Sequence, residues 1–235
     1  MLAIYKRELR SYFITPIGYI FTGMFLAVSG ILFSFTTLQK QSVNGMYEYF
    51  VYLLFVFAIL IPLLTMKLLS EERKSKTEQI LLTSPVSLFG IIVAKYFAAQ
   101  TIFTASLLVN SLNFFLLYKY GTPNLAVILA NILGIFLIGS AFIAVGLFLS
   151  ALTENQLIAA VSSIGFISIL LLISFVVQKI PFEWLRVIIK WFSVVDRYTP
   201  FTAGYLDIGA LVYFISFTAV FIFLTVRVYE KRRWS

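Results

Sequence analysis

The 235-residue chain is 61% hydrophobic and only 12% charged, with a mean hydropathy of +0.98. A water-soluble domain of this size carries roughly a quarter charged residues, so the composition excludes a soluble globule and predicts an all-α membrane protein. The sequence has no cysteine and no histidine, which excludes disulfide bonds and thiolate metal sites and removes the commonest general base.

The formal charge of +8 comes from basic residues that flank the apolar stretches. This distribution is typical of topogenic charges beside anionic lipid, and not of a surface that binds nucleic acid. Twelve of the 18 Lys and Arg residues fall on the side that six spans assign to both termini, and six fall on the other side. The positive-inside rule therefore predicts a multi-pass protein of the plasma membrane with both termini in the cytoplasm.

Residues 1–14 have the pattern of an amphipathic helix. Apolar residues recur along one face, at Leu2, Tyr5, Leu9, Tyr12 and Phe13. The other face carries Lys6, Arg7 and Arg10. The pattern predicts an interfacial helix, although a plain basic anchor without a partner explains the same charges.

Six stretches are long and apolar enough for spanning helices, which need roughly 20 residues. They are residues 16–38, 49–66, 96–117, 125–152, 157–177 and 208–226. The first continues well past the small residues around Val28, so we expect a retained span and not a cleaved signal peptide. Lys95 and Glu48 lie just outside two of the stretches, where we expect both side chains to snorkel to the interface.

The first span has a face of small residues at helical spacing. They are Gly23, Ala27, Gly30 and Ser34. Small residues let helices approach closely in lipid, so this face predicts a helix–helix contact. The contact is either between two copies of the membrane domain or within one bundle, and a place along a transport pathway is a third explanation.

The spans carry no Asp, Glu, Lys or Arg near their middle. Proton coupling needs ionisable groups at membrane depth, so the sequence argues against a proton-coupled transporter and less strongly against a sodium-coupled one. The chain contains no G-x-x-x-x-G-K-[ST], H-E-x-x-H or G-x-S-x-G motif. We therefore predict no enzymatic activity, catalytic residue, metal or cofactor in this chain, and uphill transport requires a partner that supplies energy.

The segment between the second and third spans concentrates charge and helix-terminating residues. Ser70 is placed to cap a helix, Glu72 and Lys76 are four residues apart, and Pro85 stops the helix. The pattern predicts a short charged helix over residues 71–82 at the cytoplasmic face. A solvated topogenic loop explains the charges but not the cap and the stop.

This segment carries a resemblance to a known family. The run S-E-E-R-K-S-K-T-E-Q-I-L-L-T-S-P-V-S, followed by I-V-A-K-Y, resembles ABC-2 type permeases. The opening K-R-E-L-R-S-Y-F-I-T-P-I-G-Y-I-F is similar to the six-span bacterial branch that includes the gliding-motility and nitrous-oxide-reductase maturation permeases. Lys76 and Gln79 depart from the pattern, since many relatives have glycine and an acidic residue at these positions.

The resemblance implies a fold like that of type V exporters, with one permease domain over residues 1–235. It implies a coupling helix within residues 70–84, supported by the helix of residues 1–14, that docks on a separate ABC ATPase. The implied docking residues are Glu71, Glu72, Arg73, Lys74, Lys76, Thr77 and Glu78. ATP and magnesium then belong to the ATPase partner, and two permeases pair as a homodimer or with a sister permease.

The segment of residues 178–207 is long, and the predicted topology puts it outside. Trp184, Ile188 and Trp191 share one helical face, and charged residues share another, which predicts one amphipathic helix at the outer interface. The resemblance implies an extracellular gate here, and a topological linker is the alternative. The neighbouring Asp196 and Arg197 are expected to form a local ion pair.

The expected function is that of the permease subunit of an ATP-driven exporter that works by alternating access. One alternative is a mechanotransmitting membrane subunit of the same class without a substrate path. Another is an ion-coupled secondary carrier, which requires discontinuous helices and transports without ATP. A pathway lined by polar side chains favours the exporter, and the spans offer scattered candidates at Asn110, Ser111, Asn113 and Asn131.

Overall fold

The computed structural model describes residues 1–39, 45–79, 86–119, 123–177 and 181–234. Within these ranges the chain forms ten α-helices and no strand. They are α1 (Leu2–Ile14), α2 (Ile17–Phe33), α3 (Met46–Thr65), α4 (Ser70–Lys74), α5 (Leu88–Ser111), α6 (Leu125–Leu152), α7 (Gln156–Val177), α8 (Glu183–Lys190), α9 (Val194–Thr202) and α10 (Ile208–Trp234). A π-helical turn, Ser34–Leu38, extends α2, and a 3-10 helix, Leu112–Lys119, extends α5.

Six of the described helices, namely α2, α3, α5, α6, α7 and α10, are long and apolar enough to cross a membrane. The prediction of an all-α fold with six spans is confirmed. The predicted start of the third span is wrong, because α5 begins at Leu88 and not at residue 96. Ser87 caps this helix by accepting a hydrogen bond from the Gly90 amide on its side-chain oxygen, 3.2 Å away. Lys95 therefore lies inside α5, two turns from its start.

The centre of the bundle is α6, which packs against α3, α5, α7, α9 and α10. Its sequence is apolar on every face, as expected of a helix surrounded by other helices. By contrast, α2 and α10 keep most of their side chains on the outside of the bundle. The N-terminal helix α1 lies against α2 and α5.

Side-chain hydrogen bonds between helices support the apolar packing of α5. Three of them connect Gln100 Nε2 with Ser140 Oγ at 2.8 Å, Ser106 Oγ with Thr22 Oγ1 at 3.0 Å, and Asn110 Nδ2 with the Tyr49 hydroxyl at 2.8 Å. In a bilayer the hydrophobic effect does not draw helices together, so such bonds contribute to specific association. They fix α5 against α2, α3 and α6.

The two ends of the bundle differ in their helices. At one end, which we call the basal end, α1 and the end of α10 both contact residues 70–79, which begin with α4 and which we call the α4 segment. These contacts are the Arg7–Glu72 and Arg232–Glu78 ion pairs. At the other end, which we call the distal end, lie α8 and α9. The prediction of a single amphipathic helix within residues 178–207 is wrong, because this part of the chain forms two helices, α8 and α9. Residues 178–180 lie outside the described part of the chain.

Candidate functional site

The basal end contains an ionic cluster formed by Arg7, Glu8, Glu72 and Lys95. The Lys95 side chain is 1% exposed, and its ammonium lies 3.1 Å from Glu8 Oε2 and 2.9 Å from Glu72 Oε1. Arg7 lies 2.6 Å from Glu8 Oε1 and 3.2 Å from Glu72 Oε1. Two cations thus balance two anions, which is the condition for keeping a lysine charged away from water.

The cluster joins three elements that are distant in sequence. Glu8 comes from α1, Glu72 from α4 and Lys95 from α5. The helical spacing of α1 places Tyr12 one turn beyond Glu8, and the Tyr12 hydroxyl donates to the Leu64 carbonyl of α3 at 2.9 Å. Burial raises the pKa of Tyr12, so the hydroxyl remains a donor at any physiological pH. Helix α1 is therefore held to the bundle by charge and by hydrogen bonds.

The corner between α3 and α4 is held by Ser150 from the last turn of α6. The Ser150 hydroxyl accepts from the Leu69 and Ser70 amides at 3.2 and 3.1 Å, and it donates to the Met66 carbonyl at 3.0 Å. Ser150 therefore satisfies backbone groups that the turn leaves without helical partners. The start of α4 cannot shift without breaking these bonds to α6.

Two arginines cap the C-terminal end of α6. Arg73 of α4 donates to the Leu152 carbonyl at 2.8 Å and pairs with Glu154 at 2.9 Å. Arg232 of α10 donates to the Ala151 carbonyl at 2.5 Å. The last carbonyls of a helix lack intrahelical donors and carry partial negative charge, so guanidinium groups are favourable there. Arg232 also approaches Glu78 at 3.4 Å, which attaches the residues after α4 to α10.

A cleft of about 470 Å³ opens between α1 and the α4 segment. Its charged lining residues are Arg7, Glu8, Lys67, Glu71, Glu72 and Lys95. The rest of the wall consists of the hydroxyl-bearing residues Ser11, Tyr12, Thr15, Ser75 and Thr77 and the apolar residues Ile17 and Leu68. Glu72 Oε2 is buried and has no hydrogen-bond partner in the described structure. The cleft thus places charged and hydroxyl groups beside the part of the chain predicted to dock a partner.

The residues predicted as a docking surface divide into two groups. Glu71, Lys74, Lys76 and Thr77 are exposed. Glu72, Arg73 and Glu78 are turned toward the bundle, where they bind Lys95, the end of α6 and Arg232. The exposed group can meet a partner directly, and the other group fixes the position of the segment. Of the basic residues predicted on the first helix, Lys6 and Arg10 are exposed, and Arg7 joins the ionic cluster.

Three local predictions for this segment are wrong. Ser70 is not an N-cap, since it lies inside α4 and its hydroxyl donates back to the Met66 carbonyl. The carboxylate of Glu72 binds Lys95 and Arg7 and not Lys76. The helix predicted over residues 71–82 ends at Lys74 and is followed by a turn, and residues 80–85 lie outside the described part of the chain.

Lys95 does not snorkel, contrary to expectation. Glu8 and Glu72 bring negative charge to its ammonium inside the protein, so the side chain needs no route to water. Sequence reasoning did not identify Glu8, Lys95, Ser150 or Arg232 as parts of the site. A charged residue within an apolar run indicates a buried partner of opposite charge. Lys95 is such a residue, since apolar residues precede and follow it. Nothing in the sequence pattern indicated Ser150.

Lys76 has a backbone φ of +58°, the one non-glycine residue in the left-handed region among those described. A side chain there costs about 1–2 kcal/mol, and glycine avoids this cost. We expect Lys76→Gly to keep or raise the thermal unfolding temperature of the purified protein. Lys74→Gly removes the same side chain from the helical α4, where glycine costs about 1 kcal/mol. This substitution should lower the thermal unfolding temperature. Equal effects of the two substitutions contradict the assigned turn.

The face of small residues on α2 lies on the outside of the bundle. The buried face of α2 carries Phe21, Phe25 and Phe33 instead. A Cβ atom added at Gly23 or Gly30 meets no atom within 4 Å. No described helix of the same chain therefore packs on this face at those two positions.

The polar residues proposed for a pathway are largely engaged inside the bundle. Asn110 donates to Tyr49, and Asn113 donates to Asn110 at 3.1 Å. Asn131 is buried and accepts from the Tyr198 hydroxyl at 2.6 Å. Ser111 is partly exposed and donates to the carbonyl of Leu108 in its own helix.

At the distal end, Trp184, Ile188 and Trp191 are exposed, as predicted for an amphipathic helix. Arg197 does not pair with Asp196, so that prediction is wrong. Its guanidinium lies over the Trp191 ring at 5.7 Å and over the Tyr213 ring at 5.4 Å. A cation above an aromatic face is attracted by the ring quadrupole, which accounts for this orientation.

Six spanning helices and a polar segment gathered at one end define a multi-pass membrane protein. The family model described as ABC-2 family transporter protein matches residues 27–229, which is most of the chain. The chain belongs to the ABC-2 family of transporter proteins. It is therefore a membrane subunit of an ABC transporter, a class that works with an ABC ATPase subunit. No curated protein matches the chain significantly.

Proposed function

We propose that this chain is the permease subunit of a bacterial ABC exporter whose ATPase docks on the exposed side of the α4 segment. The observation that carries the proposal is the attachment of this segment to three spans. Lys95 attaches it to α5, Ser150 to α6 and Arg232 to α10. Because charged and hydrogen-bonded contacts resist displacement, a force on α4 acts on all three helices. This arrangement suits a coupling element better than a passive loop.

In this proposal the basal end faces the cytoplasm, where ATP is available. The distribution of Lys and Arg, twelve against six, supports that orientation. The opening motif and the α4 segment support membership in the branch of gliding-motility and nitrous-oxide-reductase maturation permeases. Membership in an ABC-2 family favours ATP-driven transport over an ion-coupled carrier. The proposed mechanism is alternating access, with ATP and magnesium held by the partner.

The double substitution Lys74→Glu/Lys76→Glu is expected to weaken binding of the ATPase at least about tenfold. Both side chains are exposed on the α4 segment, and reversing two charges replaces attraction by repulsion across an interface. The measurement is co-purification of the tagged permease from native membranes. The captured P-loop ATPase is identified by mass spectrometry and quantified by its ATP hydrolysis.

Lys119→Glu/Lys190→Glu is the matched control, because it makes the same change of charge away from the basal end. It should leave the amount of ATPase unchanged. Equal recovery of ATPase with both double variants, or an unsubstituted chain that captures no ATPase, contradicts the proposed docking site.

We further propose that two permeases pair through the small-residue face of α2, made of Gly23, Ala27, Gly30 and Ser34. Its outward position and the open space at both glycines support a contact with another chain. Gly23→Leu/Gly30→Leu is expected to shift the protein from dimer to monomer in size measurements in detergent or nanodiscs. Gly165→Leu on α7, which also has open space around it, should leave the dimer intact. An unchanged dimer in the α2 variant contradicts this contact.

A second candidate function is mechanotransmission without a substrate path. The observation that favours it is the internal pairing of Asn110 and Asn131, which leaves these amides unable to line a channel. The two functions differ in one measurement. Reconstituted exporter moves a lipophilic substrate across vesicles when ATP is supplied, whereas a mechanotransmitter hydrolyses ATP without flux.

A further inference from the structure

The central helix α6 is attached by side chains at both of its ends. Ser150 attaches it to α4 at the basal end, and Asn131 attaches it to α9 at the distal end. Ser150 lies 19 positions after Asn131, which corresponds to about 28 Å of helix. One rigid element thus connects the proposed docking segment with the helices of the distal end.

The distal attachment is both polar and steric. The Tyr198 hydroxyl donates to Asn131 Oδ1 at 2.6 Å, and Asn131 Nδ2 donates to the Val127 carbonyl at 2.7 Å. The second bond orients the amide, so its oxygen points at Tyr198. A Cβ atom at Gly134 would lie 2.8 Å from the Tyr198 ring, which shows that the ring rests on the backbone of α6. Burial raises the pKa of Tyr198, so its hydroxyl remains a donor.

The helix α8 packs against α7 and is joined to α9 by a short connection. Only Trp191, Phe192 and Ser193 separate the two helices. Arg197 of α9 lies over the Trp191 ring, and Ser193 Oγ lies 2.6 Å from Ser174 Oγ of α7. A shift of α9 is therefore expected to move Trp191, which directly follows α8, and with it the C-terminal end of α8.

We infer that α6 transmits displacement of the α4 segment to α8 and α9, with Tyr198 as the positioning residue at the distal contact. The inference rests on the proposed function, because it takes the ATPase to act on α4. Helices in a close-packed interior shift as units, so a force applied at Ser150 reaches Asn131. The hydrogen bond to Tyr198 then carries the shift to α9. Without that bond, α9 is held to α6 by apolar contact alone, which permits sliding.

The test uses the absence of cysteine from this chain, so that one introduced thiol is the only one on the permease, and labelling is measured on the permease band. Val187→Cys places it on the exposed side of α8. The permease and its co-purified ATPase are reconstituted in nanodiscs. The rate of labelling by a charged maleimide is measured without nucleotide and with a non-hydrolysable ATP analogue. We expect the analogue to change the labelling rate of the Val187→Cys protein.

Adding Tyr198→Phe is expected to reduce this nucleotide-dependent change at least about threefold, with the amount of bound ATPase unaltered. Asn131→Ala, which removes the same bond from the α6 side, should do the same. The control is Tyr213→Phe, which removes a hydroxyl that has no hydrogen-bond partner in the described structure. It should retain the full response.

A full response in both Tyr198→Phe and Asn131→Ala overturns the inference, and so does an equal reduction in Tyr213→Phe. If the Val187→Cys protein binds ATPase but shows no response to nucleotide, the inference fails and the docking proposal stands. If the unsubstituted chain binds no ATPase, the proposed function itself fails.

Discussion

Lys95→Met is expected to lower the thermal unfolding temperature of the purified protein by about 10 °C. Methionine preserves the apolar stem and removes the ammonium, which leaves Glu8 and Glu72 close together with only the half-exposed Arg7 as counter-ion. Removing one partner of a buried ion pair typically costs about 3–5 kcal/mol, because the remaining charges are left without compensation. For a chain of this length, a loss of about 3–5 kcal/mol in the free energy of unfolding lowers the unfolding temperature by about 10 °C. The measurement is a thermal melt followed by tryptophan fluorescence.

Two further variants separate this effect from simple loss of a side chain. Adding Glu8→Gln and Glu72→Gln to Lys95→Met removes the uncompensated charges and should recover most of the lost stability. Lys6→Met on the exposed face of α1 should change the melt by no more than about 1–2 °C. A triple variant as unstable as Lys95→Met, or a Lys95→Met melt equal to that of Lys6→Met, contradicts the buried cluster.

Gly146→Ala is the second substitution with a large expected effect, a loss of about 1–3 kcal/mol in the free energy of unfolding. An added Cβ at this position would lie 2.1 Å from Thr65 Oγ1 and 2.9 Å from Thr65 Cβ, so α3 and α6 would have to separate. The contact lies one turn before Ser150, so separation would also disturb the α3–α4 corner. The thermal unfolding temperature and the amount of bound ATPase should both decrease.

Thr65→Ala tests whether the loss comes from this contact. Among the described residues, the Thr65 hydroxyl bonds only carbonyls of its own helix, Ile61 and Pro62, so its removal alone should cost little. In combination with Gly146→Ala it should restore most of the stability. The control is Gly165→Ala, where a Cβ meets no atom within 4 Å and the helix gains from alanine. A combined variant no better than Gly146→Ala would argue against close packing of α3 on α6.

The spans were predictable because membrane crossing imposes a strong and local constraint. Roughly 20 apolar residues identify each one, and five predicted starts fall within three residues of the structural helices. The exception, α5, shows where this rule fails. A lysine normally ends a span, and Lys95 does not, because two glutamates from distant parts of the chain neutralise it. A span rule has no access to those tertiary partners.

The candidate site was predictable only as a segment. Residues 70–84 could be singled out from their charge, a proline and a resemblance to ABC-2 permeases. These features do not reveal which side chains of the segment face the bundle. Which side chains face the bundle depends on three hydrogen-bonding partners outside the segment. Lys95 binds Glu72, the end of α6 binds Arg73, and Arg232 binds Glu78. Lys76 is an instructive case. The resemblance indicated that relatives carry glycine there, and the positive φ supplies the physical reason.

The attachments of α4 give the proposed coupling a physical basis. A loop that touched only solvent would absorb the movement of a docked ATPase by bending. Here the segment is bound by ion pairs and hydrogen bonds to α1, α5, α6 and α10. Because the interior is close-packed, we expect these helices to respond as a body. In the proposed coupling, the exposed residues Lys74 and Lys76 make the contact with the ATPase, and the residues that face the bundle transmit its movement.

The most direct test of the central claim is a site-specific cross-link from the α4 segment. A photoreactive amino acid replaces Lys74 in one variant and Lys119, on the opposite side of the spans, in another. Both are illuminated in native membranes, and the covalent products are identified by mass spectrometry. The account predicts that the probe at position 74 captures a P-loop ATPase and that the probe at position 119 does not. Capture of the ATPase from position 119 alone, or from neither position, would contradict it.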